Sequence, residues 1–221
     1  DVAHAYYETL AAGNQGKITR SDLEDSATLV EELIDKAFVE LYSLGSKKEV
    51  EYEGQRVVVK AIAQEFMAKI IEHDMSFAPF KIVSLEQKHV VPLPVGRQQV
   101  VLGGKIDRID SKNGLVRIID YKTGKDELIV EGIEYLFARD TKRNKAAFQT
   151  MLYAYLYWKK GNHEVTKQIL PGLMNRRNLF ESGFSFGHPL KGQSGRKLAE
   201  DMSDFRDFED RLMLLLTALF E

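Results

Sequence analysis

Two aspartates and two lysines stand in a pattern able to hold a metal ion against a phosphate. Asn113-Gly114 separates two alternating runs, residues 98–110 and 115–121. Asn-Gly in that position is the strongest short signal for a hairpin, because a type I′ turn needs positive φ at both central residues. With Lys112 facing Leu115, the ladder puts Asp107 opposite Asp120 and Lys105 opposite Lys122. Alternation along each strand gathers these four on one face, while Asp110 meets Arg117 on the other as an ordinary cross-strand ion pair. Like charges directly opposite one another cost up to about 1 kcal/mol, so two stacked pairs call for a counter-charge. Carboxylates about 4.5–5.5 Å apart at Cβ can share a hard cation such as Mg²⁺, which prefers oxygen ligands and keeps its own waters. Two other readings stay open. The patch can simply face solvent, and a three-residue loop would send the two aspartates to opposite faces; a four-residue loop would shift the partners but keep the face.

The elements that must position these residues are visible in the apolar periodicity. Residues 1–12 read as a short helix, and Ser21-Asp22-Leu23-Glu24 as a capping box opening a long one, with Leu29, Leu33, Ala37 and Leu41 as its stripe. A second long helix covers residues 55–73 with Val59, Ile62, Phe66, Ile70 and Ile71 inward. After Pro79 the period changes: residues 80–91, 98–110 and 115–121 form a three-stranded meander punctuated by Pro92, Pro94, Gly96 and Asn113-Gly114. A helix over residues 142–160, a strand over 165–179, a Gly/Ser/Pro-rich loop over 183–195 and a helix over 197–220 complete the chain. The expected fold class is α/β, a central mixed sheet of the meander plus a later strand, flanked by helices, after an α-helical N-terminal part. One domain is expected over 1–221: a helical part to residue 78, a catalytic core over 79–180, then a loop and C-terminal helix.

Composition excludes several chemistries. The chain has no cysteine, which removes disulfides, thiolate zinc sites, iron–sulfur clusters and cysteine nucleophiles. No run of about 18 apolar residues is present to span a bilayer, and no membrane partner is expected. The start, Asp1-Val2-Ala3-His4, has no initiator Met and no signal-peptide pattern, so a piece of a larger polypeptide in the cytoplasm is expected. His73, His89, His163 and His188 are isolated and read as surface or internally satisfied residues, and Ser194 has no His/Asp pattern around it.

Gly103-Gly104-Lys105-Ile106-Asp107-Arg108-Ile109-Asp110, then Ile118-Ile119-Asp120-Tyr121-Lys122-Thr123-Gly124, then Gln149-Thr150-Met151-Leu152-Tyr153 resemble the active-site strands and the Gln-x-x-x-Tyr helix of the PD-(D/E)XK nucleases, in their RecB/AddB-like exonuclease branch. His4 in Val2-Ala3-His4-Ala5 resembles that family's metal-binding histidine near the domain start, and Glu86 in Val83-Ser84-Leu85-Glu86-Gln87 its first-strand glutamate. The match spans His4 to Tyr153. The cysteines with which some relatives hold an iron–sulfur cluster are absent.

The resemblance implies a restriction-endonuclease-like core and metal-dependent hydrolysis of DNA phosphodiesters. It assigns Mg²⁺ or Mn²⁺ to His4, Asp107, Asp120 and the backbone carbonyl of Tyr121. Asp107, Asp120 and Lys122 become the catalytic residues, with Gln149 and Tyr153 positioning the DNA or bracing the site and Glu86 supporting it. The register adds Lys105 as a phosphate contact or a solvated lysine, and helical spacing leaves Glu8, one turn after His4, open as either a surface residue or that histidine's partner. The function expected is the exonuclease domain of a helicase–nuclease in recombinational repair, with DNA ends and a helicase as partners. The alternative is a non-catalytic DNA-end-binding or scaffold module of such a complex; an endonuclease with its own site specificity would want a recognition domain for which the length is lacking. The net charge of −2 argues against DNA only until it is divided. Residues 139–177 carry nine basic against two acidic residues, residues 1–35 two against eight, and residues 200–221 two against seven, so a basic helix and strand can follow a phosphate backbone.

Overall fold

A computed structural model describes residues 2–42, 52–141, 143–162 and 168–220. Expectations that fall on His163, on Lys142 or on residues 165–167 lie outside these. The chain divides into two compact units, Asp1–Leu85 and Glu86–Glu221.

The first unit holds α1 (Val2–Gly13), β1 (Lys17–Ile18), α2 (Arg20–Glu24), α3 (Ala27–Leu41), α4 (Gln55–Phe77) and the start of β2 (Phe80–Val95). The capping box forms two residues earlier than expected. Thr19 is the N-cap and Asp22 the third helical residue, with the Thr19 N–H donating to Asp22 at 2.7 Å, and it opens only the five-residue α2. Thr19 combines an extended backbone with a hydroxyl, which is what an N-cap needs. The inward face of α3 is Val30, Ile34 and Phe38, with Leu41 73% exposed. Steps of four residues fit two adjacent stripes equally well, and the bulkier stripe is the buried one. In α4 the buried residues are Met67, Ile70, Ile71 and Asp74, while Val59 and Ile62 are exposed. Only the C-terminal half of α4 is inserted in the core, where Tyr7 donates a hydrogen bond to Asp74.

The second unit continues β2 and adds β3 (Gln98–Lys112), β4 (Leu115–Lys122), α5 (Ile133–Leu136), α6 (Lys145–Tyr157), β5 (Gln168–Asn175), α7 (Arg176–Leu179) and α8 (Met202–Phe220). Strand pairing follows the order β1-β2-β3-β4-β5. The β3–β4 pair is antiparallel and β4–β5 parallel, from Leu115↔Gln168 to Lys122↔Asn175, so the sheet is mixed and the class is α/β. Pro92 and Pro94 lie inside β2 rather than ending it. Both are exposed between buried Val91, Leu93 and Val95; since β1 pairs only with Phe80 and Lys81, that edge of β2 can carry residues with no N–H to donate. The expected late strand stops at Asn175, whose side chain accepts the Asn178 N–H at 2.8 Å and starts the short α7. Gly104 and the strands' apolar residues meet α6 on one face of the sheet, and Phe205 and Phe208 of α8 close over α6, with Trp158 and Phe205 stacked at 5.6 Å and Tyr155 and Phe208 at 5.8 Å. The aromatic residues after Gln149 are therefore core packing, apart from Tyr153.

Candidate active site

Asn113 and Gly114 have φ of 54° and 88°, the positive pair that a type I′ turn requires, and the register runs from Lys112↔Leu115 through Asp110↔Arg117 to Arg108↔Ile119. The loop therefore has two residues. Asp107 and Asp120 share the face on which α6 lies, and the next bond is made by a side chain: Asp107 Oδ2 accepts the Tyr121 N–H at 2.9 Å. The lysines are arranged differently from the expected opposition. Lys105 is paired with Glu86 of β2, and the Lys122 ammonium lies 2.9 Å from Asp120 Oδ2. Each cation has turned to a carboxylate instead of facing the other. Glu86 itself has φ of +51°, a conformation uncommon for a non-glycine residue and frequent where function holds the backbone out of its preferred state.

From α6, Gln149 Nε2 donates to Asp120 Oδ1 at 3.3 Å and to the Tyr153 hydroxyl at 2.7 Å. Residues four apart on a helix face one another, so Gln149 and Tyr153 act as one polar strut against β4. Gly104 makes room for it: a Cβ on Gly104 would fall 2.4 Å from the Tyr153 ring. Gly104→Ala is expected to cost about 1–3 kcal/mol, the usual range for overpacking, and to lower cleavage through displacement of Tyr153 and Gln149. Tyr153→Leu in the same background should recover stability but not activity, read by thermal unfolding and a cleavage assay.

The electrostatics mark this face as short of positive charge. Asp120 is 1% exposed. Its carboxyl is pushed up to about 6, first by burial, with Asp107 and Asp126 adding to the shift and Lys122 opposing it. Burial also raises Asp107, against the Tyr121 N–H, with Glu86 adding repulsion. Burial disfavours the Lys122 ammonium, yet Asp120 and Asp107 hold its pKa above the usual range. Asp120 Oδ2 is buried, with the Lys122 ammonium 2.9 Å away, so a cation bound at that oxygen would have to share it with Lys122. Two buried oxygen-donor groups with depressed acidity fit a hard divalent cation. Among the described residues no group of three His, Cys, Asp or Glu side chains is close enough to hold an ion.

These shifts have a consequence for the metal-free chain. A carboxyl with a folded pKa near 6 and an unfolded value of 3.8 binds more protons folded than unfolded between those limits. Stability therefore falls as pH rises from about 4 to 6 and stays low above. The full linkage is about 3 kcal/mol at 1.36 per pKa unit. Asp120→Asn forfeits the Lys122 pairing, so its expected gain at pH 7.5 in chelator is smaller, about 1–2 kcal/mol or a few degrees in Tm. Mn²⁺ is expected to raise the Tm of the wild type, and the variant should lose that rise.

His4 is on α1 in the first unit, with 30% of its side chain exposed, its Nε2 3.7 Å from Glu8 and its Nδ1 buried without a hydrogen-bond partner among the described residues. Helical spacing puts His4 and Glu8 on one face of α1. The Tyr121 side chain is bonded on the opposite face, its hydroxyl accepting from Arg108 at 3.0 Å.

A sequence model of the PD-(D/E)XK nuclease superfamily matches residues 1–221. The chain belongs to that superfamily. No curated protein matches it. A solved structure titled "Crystal structure of SSO0001" aligns with 97% of this chain and 86% of that one at 13% identity, with a TM-score of 0.30, too low to carry an argument. PD-(D/E)XK nucleases generally use divalent metal ions, in keeping with the carboxylate pair.

Two features of this PD-(D/E)XK chain escape a reading of its motifs, and a third was read. Asp110 and Arg117 are more than a cross-strand pair: Arg108 joins them, Arg108 Nε and Arg117 Nε donate to Asp110 at 2.9 and 2.8 Å, and all three side chains are at most 2% exposed. The arginine beside Asp107 was the available signal. Asp126, four residues after Lys122, is near enough to Asp120 to raise its pKa. His188 is fully buried, its ring nitrogens 2.8 Å from the Thr150 hydroxyl and 2.9 Å from the Leu128 carbonyl, and burial lowers its pKa to about 4. It is a neutral brace between α6 and the C-terminal loop, the satisfied histidine that isolation in the sequence suggested.

Proposed function

We propose that this chain is a Mg²⁺- or Mn²⁺-dependent deoxyribonuclease of exonuclease type, in the RecB/AddB-like branch, and the nuclease domain of a helicase–nuclease that processes DNA ends in recombinational repair in the cytoplasm. The observation that carries the reading is the Asp107–Asp120 face with Lys122 beside it, braced by Gln149. Asp107 and Asp120 would hold the cation, with His4 and the Tyr121 carbonyl as the remaining ligands. A bound divalent ion supplies positive charge against the phosphate oxygens and lowers the pKa of a coordinated water toward neutrality.

The chain's own groups supply the rest. Lys122 orients the attacking water and stabilises negative charge gathering on the phosphoryl oxygens. Water oxygen bonds to phosphorus as the bond to the leaving oxygen breaks; the proton shed by the water goes to solvent, and the leaving oxygen takes one from it. Gln149 fixes the orientation of Asp120, and Tyr153 fixes Gln149. Glu86 holds Lys105, which can release to a DNA phosphate. Lys122→Ala is expected to lower cleavage by about 10²–10³-fold, the range for loss of one stabilising donor, with DNA binding nearly retained.

The test is incubation of the purified chain with linear and circular DNA in Mg²⁺ or Mn²⁺. Cleavage of linear DNA, lost in Asp120→Ala, supports the reading. Absence of cleavage with either metal, together with binding to DNA ends, would instead make the chain the non-catalytic end-binding module.

A further inference from the structure

A cavity of about 680 Å³ opens in the second unit between the segment after β4 and the start of α6, lined by Asp126, Ile129, Arg143, Lys145, Ala146 and Lys191 among others. Two links tie it to the carboxylate face. Asp126 lines it and acts electrostatically on Asp120. Lys145 lies one helical turn before Gln149, which bonds Asp120, so Lys145, Gln149 and Tyr153 follow one another at four-residue steps along one face of α6.

The charges in the cavity are unevenly spent. Lys191 is paired with Glu131 at 2.6 Å, and Glu127 accepts the N–H groups of Leu128 and Ile129 at 3.2 and 3.3 Å. Arg143 and Lys145 have no carboxylate partner among the described residues. The Arg143 guanidinium lies 4.7 Å from the centre of the Phe148 ring, and its Nε is buried without a hydrogen bond. A stacked, preorganised guanidinium beside a free ammonium suits a phosphate, and Ile129 and Ala146 offer apolar wall. The volume falls within the usual range for small-molecule sites, about 300–1,000 Å³.

We propose that this cavity receives the nucleotide next to the scissile phosphate, with Arg143 and Lys145 as its phosphate contacts. The inference rests on the nuclease reading and adds a binding subsite to it. The bound group is a nucleotide phosphate, either at a strand end or within the strand.

The test is anisotropy of the whole chain with a labelled single-stranded oligonucleotide in chelator, over a salt series. The double variant Arg143→Ala/Lys145→Ala is expected to bind about tenfold more weakly and to lower the slope of log affinity against log salt by about 1.4, two contacts at about 0.7 each for a single strand. Arg143→Lys/Lys145→Arg should restore the slope, and Arg97→Ala, in the β2–β3 turn, should leave it alone. Oligonucleotides bearing a 5′-phosphate, a 3′-phosphate or neither separate the sources. A terminal-phosphate site gives wild type a preference that the double variant loses, whereas a site for an internal phosphate gives the same slope change with all three. An unchanged slope in a variant that unfolds like wild type, or an equal loss in Arg97→Ala, overturns the proposal. Failure of wild type to cleave DNA while the slope still changes would count against the nuclease reading instead.

Discussion

Asp120→Ala is expected to abolish cleavage of linear DNA, with a fall of at least about 10³-fold, or some 4 kcal/mol of transition-state stabilisation. Asp120 holds two partners that no neighbour can replace: its Oδ2 has the Lys122 ammonium 2.9 Å away, and its Oδ1 accepts from Gln149 at 3.3 Å. In the proposed site its removal takes away a cation ligand and frees both helpers at once, so the effects of Lys122→Ala and Asp120→Ala should combine far short of additively. Unfolding is not the explanation to expect, since the metal-free protein is strained by this carboxylate and Asp120→Asn should melt higher than wild type. Asp107→Ala should be as inactive but less stable, because the Tyr121 N–H that Asp107 accepts at 2.9 Å loses its partner. Kinetics, Mn²⁺ calorimetry and thermal melts on the four variants check this. Cleavage by Asp120→Ala within tenfold of wild type would falsify the assignment.

What the sequence discloses about this site is what local backbone chemistry dictates. Asn113-Gly114 favours the two-residue turn that forms, and that turn fixes the face of every residue from Arg108 to Ile119. Identity of partners beyond the backbone was less legible. Lys105 and Lys122 face each other in a continued ladder, but a third strand brings Glu86 to Lys105, and no spacing within the hairpin reports that strand's backbone turning at positive φ. The helical stripe of α3 was displaced for a related reason, whereas that of α4 keeps Ile70 and Ile71 inward and is lost only in the N-terminal half of the helix. Periodicity gives a spacing, whereas the packing partner selects which of two adjacent stripes is buried. Pro92 and Pro94 mark strand ends only when both edges are paired, and edge status is a property of the whole sheet. The Gln149–Tyr153 strut was visible as a spacing, but the glycine that admits it, Gly104, acquires meaning only once the Tyr153 ring is seen against its backbone.

Behind the carboxylate face, Asp110→Ala is expected to destabilise the fold by about 3–5 kcal/mol, the cost of breaking a buried ion network from one side. That is a fall of roughly 10 °C for a chain of this size. The carboxylate accepts from Arg108 at 2.9 Å and from Arg117 at 2.8 and 2.7 Å, all essentially out of water. Its loss leaves two guanidiniums together in an apolar layer, and neither can shed its proton there. Arg108 also donates to the Tyr121 hydroxyl at 3.0 Å, while the Tyr121 N–H binds Asp107, so disorder in the network should reach the catalytic face through one residue and lower activity along with stability. A compensated variant, Arg108→Met/Asp110→Leu/Arg117→Met, separates these effects. Replacing the whole network with apolar groups of similar volume should restore most of the stability but leave Tyr121 without its donor. Activity that returns with the melting temperature would mean that the network only supports the fold; activity that stays low would mean that Arg108 also positions β4 through Tyr121.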